Sequence, residues 1–159
     1  MTQLKQTIGL FAWAALVFVA AALGSAATSV SVADWYLTLN KPSFTPPSWV
    51  FGPVWTTLYL MMAIAAWLVW GKQGFVAARW PLGLFLVQLA LNTLWSFLFF
   101  AMRSPGLAAV EIVLLWLAIA ATIVAFQKHS KLAALLLVPY LAWVTYATAL
   151  NIAIARLNM

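Results

Sequence analysis

Gln88 and Asn92 stand four residues apart in an apolar run, and Trp95 and Ser96 continue their face. In hydrocarbon such amides turn inward, because a lipid-facing amide has no hydrogen-bond partner. They can serve as glue between helices or point into a ligand cavity, and the sequence leaves both open. Trp55 and Tyr59 share the four-residue spacing. Tyr140, Trp143, Ala147, Leu150 and Asn151 form a similar face near the C-terminus. Ala147 is small and leaves room beside Trp143. Pro139 is expected to kink this last run and release the carbonyl of Leu135. What these side chains offer a ligand is stacking and apolar contact with a flat ring system.

Acid–base and metal chemistry have little to work with. Asp34 and Glu111 are the only carboxylates, cysteine is absent, and His129 is the only histidine. Disulfides, thiolate metal sites and cysteine nucleophiles are therefore excluded, and no metal site is expected. Asp34 reads as the cap of a short helix. Glu111 reads as an acid about one turn inside a helix, its charge eased by the positive helix end and nearby water. An acid within a membrane is also a functional candidate. His129, flanked by Lys128 and Lys131, reads as a solvated loop residue rather than a haem ligand.

The elements that must carry these residues follow from composition. The 159 residues are 67% hydrophobic and only 6% charged, with a mean hydropathy of +1.04. A soluble domain carries about 25% charged residues, so this chain reads as a single integral membrane domain. The net charge of +6 forms no basic run, which argues against nucleic acid as a partner. About 20 apolar residues span a bilayer core. Five stretches suffice, at about 7–27, 49–70, 80–101, 107–127 and 132–155. The expected fold class is an all-α membrane protein, a five-transmembrane-helix bundle in one domain covering 1–159. Barrel strands would alternate over about ten residues, and none do. The first stretch is read as a spanning helix rather than a cleaved signal, because its apolar run is long and no soluble domain follows it. Lys5, Lys72, Arg79, Lys128 and Lys131 fall on the N-terminal side, against Lys41, Arg103 and Arg156 on the other. That excess favours a cytoplasmic N-terminus, in a membrane the sequence does not specify.

One connection is long, at about 28–48, and loops of that size tend to be functional. Ser31 and Asp34 have capping-box spacing, so a short helix is expected to start there. Trp35 and Leu39 would share its apolar face. The Lys41-Pro42 step should end it, and Pro46-Pro47 stiffen the entry to the second spanning helix. The reading is of a semi-rigid aromatic lid. Trp49, Trp70 and Trp80, near helix ends, are assigned to an interfacial belt. Ala20 and Gly24 form a small-xxx-small pair of the kind used in helix association.

The run Trp35-Tyr36-Leu37-Thr38-Leu39-Asn40-Lys41-Pro42-Ser43-Phe44-Thr45-Pro46-Pro47 resembles the first loop of the translocator protein family, also called TspO, the tryptophan-rich sensory protein or the peripheral-type benzodiazepine receptor. Trp49-Val50-Phe51-Gly52-Pro53-Val54-Trp55 with Leu58-Tyr59 resembles its second helix. Gln88-Leu89-Ala90-Leu91-Asn92 with Trp95 and Phe99-Phe100 resembles its third. Pro139-Tyr140-Leu141-Ala142-Trp143, Ala147-Thr148-Ala149-Leu150-Asn151 and Arg156 resemble its fifth. The likeness runs in order over about 35–158. Two positions depart from it. Phe44 stands where many members have Trp, and Ile152 stands where animal members have the Tyr of a sterol motif, so sterol binding is not expected.

The resemblance implies five helices, a cavity beneath the first loop, and a homodimer in the lipid bilayer. It implies porphyrin ligands, notably protoporphyrin IX, and benzodiazepine or isoquinoline compounds. The ligand-binding set it carries over is Trp35, Tyr36, Pro46, Trp55, Tyr59, Asn92, Trp143, Ala147 and Leu150. Residue chemistry adds Trp95 on the Asn92 face. It also adds Lys41 as the loop's only cation, to meet ring carboxylates. No covalent cofactor is expected; a porphyrin would be ligand or substrate. Three function classes follow: a tetrapyrrole receptor or sensor, an enzyme degrading porphyrin in light and oxygen, and a porphyrin or sterol transporter. The resemblance assigns the light-driven chemistry to Tyr36 and Trp143. Transport ranks last, because no inverted repeat or broken helix pair is visible.

Overall fold

The computed structural model describes residues 2–158. The chain forms α1 (Gln3–Ser29), the single turn α2 (Trp35–Thr38), α3 (Phe51–Ala77), α4 (Arg79–Ser96), α5 (Pro105–Gln127) and α6 (Lys131–Leu157). A 3-10 turn, Ser48–Val50, leads into α3, and a π-helical turn, Phe97–Ala101, finishes α4. Among the described residues there is no strand. Five helices are long and apolar enough to cross a membrane. α1 lies between α3 and α4, α6 between α3 and α5, and α5 touches α4, so the five close into a ring with α3 and α4 also meeting across it.

Most of these helices are apolar all round rather than two-faced, as expected where lipid replaces water outside. Leu16, Leu23, Leu86, Leu117 and Val124 face outward, while Ala63, Ala65, Ala66, Ala133 and Ala134 are buried between helices. Hydrocarbon gives no hydrophobic drive to bring helices together, so close packing of small residues must do so. Gly9 is one such position. The Trp70 ring lies on it, and a Cβ there would overlap the ring. Trp70 is therefore packed into the α1–α3 seam and does not belong to an interfacial belt, unlike Trp49 and Trp80, which are exposed. Ala20 and Gly24 are likewise turned inward. The Ala20 carbonyl accepts from the Thr93 hydroxyl at 3.4 Å, and Gly24 lies against Ser96, so the small-residue pair packs α1 on α4.

Helix ends depart from the sequence reading for local reasons. α3 continues past Trp70 because Lys72 and Gln73 tolerate helix, and Gly74 breaks the regular geometry with φ 71° and ψ 175°. α6 runs through Pro139 as one helix. α2 ends at Thr38, before the Lys41-Pro42 step. Its cap is Asp34 alone, whose carboxylate accepts from the Trp35 N–H. Ser31 does not take part in a capping box; its hydroxyl donates to the Phe100 carbonyl at 2.7 Å and pins the chain to α4.

Candidate functional site

Asn92 sits at the centre of the ring. It accepts from the Tyr59 hydroxyl of α3 at 2.6 Å and donates to the Tyr140 oxygen of α6 at 3.1 Å. Tyr140 is fully buried. Of the two readings open for the α4 amide, the geometry supplies glue: one side chain ties three helices. Trp95 is engaged in the same way. Its indole N–H donates to Asn151 Oδ1 at 2.9 Å, and the Asn151 amide donates to the Pro105 carbonyl at 2.8 Å, tying α4, α6 and the start of α5.

Around this knot the aromatic residues form two groups. Beside it, Trp55 lies 5.4 Å from the Tyr59 ring and 6.3 Å from Tyr140. Trp143 packs edge-on to Phe51 at 5.9 Å and against Tyr146 at 5.5 Å, with Ala147 partly buried on the same helix. The second group lies under α2. Trp35 and Tyr36 pack on Phe99, Tyr36 also on Phe100, and Leu150 is buried with them. Trp95, 5.2 Å from Phe99, belongs to both groups. The structure thus brings together Trp55, Tyr59, Asn92, Trp95, Trp143 and Ala147, and separately Trp35, Tyr36, Trp95 and Leu150.

Pro46 and Lys41 lie in the loop, in neither group. The Lys41 ammonium is turned back onto its own segment. It donates to the carbonyls of Tyr36 at 2.7 Å and Leu39 at 3.1 Å, and stands 4.7 Å above the Tyr36 ring. It satisfies the open carbonyls at the end of α2. Burial, with help from Tyr146, pushes the Tyr36 phenol above its ordinary value, so it stays neutral through the physiological range.

The loop is fastened at few points. The Tyr146 hydroxyl donates to the Phe44 carbonyl at 2.6 Å. Asn40 and Asn158 exchange two hydrogen bonds of 2.9 Å. Arg103 reaches Asp34 at 3.6 Å in an exposed pair, worth little in water. Tyr140 fills the centre of the ring. A cavity of about 450 Å³ lies at the opposite end of the bundle, and one of about 160 Å³ touches only Trp35 of the expected set.

Sequence reasoning missed Tyr146 and Phe51 as partners of Trp143. The signal for Tyr146 was its position three residues on, the next turn of the same helix face. Phe51 carried no such signal, since its contact depends on how α3 meets α6. Glu111 also departs from expectation. It is 5% exposed, faces the interior, and neither carboxyl oxygen has a hydrogen-bond partner among the described residues.

Comparison with known proteins gives a consistent result. The model of the TspO/MBR family matches residues 13–157. The chain is 47% identical over 135 residues to the tryptophan-rich protein TspO of Archaeoglobus fulgidus, covering 85% of this chain and 87% of that one. It is 48% identical over 126 residues to the human translocator protein, covering 78% and 75%. It is 42% identical over 149 residues to the tryptophan-rich sensory protein of Cereibacter sphaeroides, covering 92% of each.

Proposed function

The chain belongs to the TspO/MBR family of membrane proteins, and from that premise we propose that it is a receptor or sensor binding flat hydrophobic ligands, tetrapyrroles such as protoporphyrin IX above all, beneath its first loop. Benzodiazepine and isoquinoline compounds are flat and apolar in the same way and would share the site. The observation that carries this reading is the place of Trp143. Its ring is only partly buried, held between Phe51 and Tyr146, and Tyr146 fastens the loop through Phe44. Lifting Phe44 breaks one hydrogen bond and exposes two aromatic rings to an incoming ring system. The Asn92 knot below would then act as a rigid floor.

Aromatic faces supply the affinity in this account. With no cysteine in the chain, and His129 in the loop between α5 and α6, the site offers iron neither a thiolate nor an imidazole ligand. Metal-free porphyrin should therefore bind about as well as haem. The test is a titration of detergent-purified protein with protoporphyrin IX, followed by tryptophan quenching. Trp143→Ala should weaken binding roughly tenfold, since stacking of a flat ring on an aromatic side chain contributes on the order of 1–3 kcal/mol by alanine substitution. Equal affinity in the variant and the parent would remove Trp143 from the site.

A second reading, photo-oxidative breakdown of the bound porphyrin, draws on Tyr146. This residue touches the Trp143 ring. Light-excited porphyrin would pass an electron to oxygen and be left oxidised, and the reduced oxygen would then attack that ring, with Trp143 and Tyr146 beside it. This reading expects a new absorbing product in light and oxygen and none in the dark. We also propose a homodimer, through faces other than the Ala20 and Gly24 pair, which is used inside the chain.

A further inference from the structure

The cavity of about 450 Å³ lies at the end of the bundle away from the first loop, between α1, α3 and α4. Lys5, Ala12 and Trp13 line it from α1, Trp70 and Phe75 from α3, and Leu86 from α4. Its walls are built by two glycines. Gly9 lets Trp70 lie flat on α1. Gly74, at φ 71°, breaks α3 and swings Phe75 back to 6.1 Å from Trp13 and 5.9 Å from Trp70. Trp13 is buried behind them, edge-on to Phe85 at 5.8 Å. Leu16 and Leu86 at its edge are exposed on surfaces that face hydrocarbon in a bilayer, so the groove is reached sideways from the membrane.

One charged group lines it, Lys5, in the first turn of α1. Lys72, Arg79, Lys128 and Lys131 lie at the same end of the bundle, and no acid does. Asp34 lies beyond the far end of α1, and Glu111 lies in the far half of α5. The one ion pair among the described residues, Asp34 with Arg103, is also at the far end. An apolar slot at acyl-chain depth with an unneutralised ammonium at headgroup level matches one class of occupant. We propose that this groove holds an anionic phospholipid of the N-terminal-side leaflet, one acyl chain against Trp13, Trp70 and Phe75 and its phosphate on Lys5. A cationic side chain near the surface favours anionic over zwitterionic lipid by roughly fivefold.

The test is native mass spectrometry of the full chain in detergent, with phosphatidylglycerol or phosphatidylcholine of identical acyl chains added. The parent should retain one phosphatidylglycerol about fivefold more strongly than phosphatidylcholine. Lys5→Gln should bring the two lipids level. Ala12→Trp, which fills the groove from its exposed side, should abolish retention of both; Leu86→Trp does the same from α4 if the first variant does not fold. Lys131→Gln, at the same end but outside the groove, should change nothing. Equal retention of the two lipids by the parent overturns the proposal, as does a loss in Lys131→Gln as large as in Lys5→Gln. Parental lipid retention by the groove-filling variant also overturns it. So does dissociation of a dimer by that variant with the lipid still bound, which would make the groove a contact between copies.

Discussion

Asn92 shows how one side chain can be read correctly in direction and remain open in role. Its four-residue spacing from Gln88 placed it inside the bundle, and it is there. Whether it met a ligand or its neighbours depended on Tyr59 and Tyr140, which approach from α3 and α6, positions no local spacing encodes. Asn92→Ala removes two buried hydrogen bonds and should lower stability by roughly 1–3 kcal/mol, measured by denaturant unfolding in mixed micelles. Glu111 carries the opposite sign. Burying a carboxyl with no partner for either oxygen among the described residues costs about 1–3 kcal/mol. Glu111→Leu should recover most of that in the same assay, and a loss of stability would show that the carboxyl has a partner after all. Lys41 is the loop's only cation, which makes it the natural partner for ring carboxylates. The fold uses it to satisfy the carbonyls that end α2, a need that appears only once the helix end is known.

At the scale of elements, long apolar runs and charged breakers made all five spanning helices legible, while their ends were not. Gly74 is the clearest case. Nothing in the run from Trp70 to Trp80 distinguishes a helix that stops at Trp70 from one that continues to a break. The pair φ 71° and ψ 175° is open almost only to glycine, and another residue there costs on the order of 1–3 kcal/mol. Gly74→Ala should therefore destabilise the protein or swing Phe75 off Trp13. Blue-shifted emission from Trp13, compared in a Trp13→Phe background, should be lost. The π-helical turn was equally invisible. It lets the consecutive Phe99 and Phe100 both be buried and brings them under Trp35 and Tyr36. Such turns recur at functional sites, and this one forms the base of the loop-side aromatic group.

At the scale of the molecule, the ring of five helices carries two apolar regions at opposite ends. One is closed beneath the first loop and one is open to lipid between α1, α3 and α4. Composition revealed that aromatic rings must gather inside, since ten Trp and ten Phe cannot all face outward at helix ends. It did not reveal that the centre is filled, because that depends on Tyr140 reaching Asn92. The central claim is that a tetrapyrrole enters by lifting the first loop. The chain has no cysteine, so a loop lock can be added cleanly. In Asn40→Cys with Asn158→Cys, the new pair stands where the native side chain and backbone already touch. Protoporphyrin IX should bind the reduced double variant as it binds the parent, the oxidised form at least tenfold more weakly, and recover fully on reduction. Equal affinity in the oxidised and reduced forms, with the disulfide shown to be complete, would contradict the account.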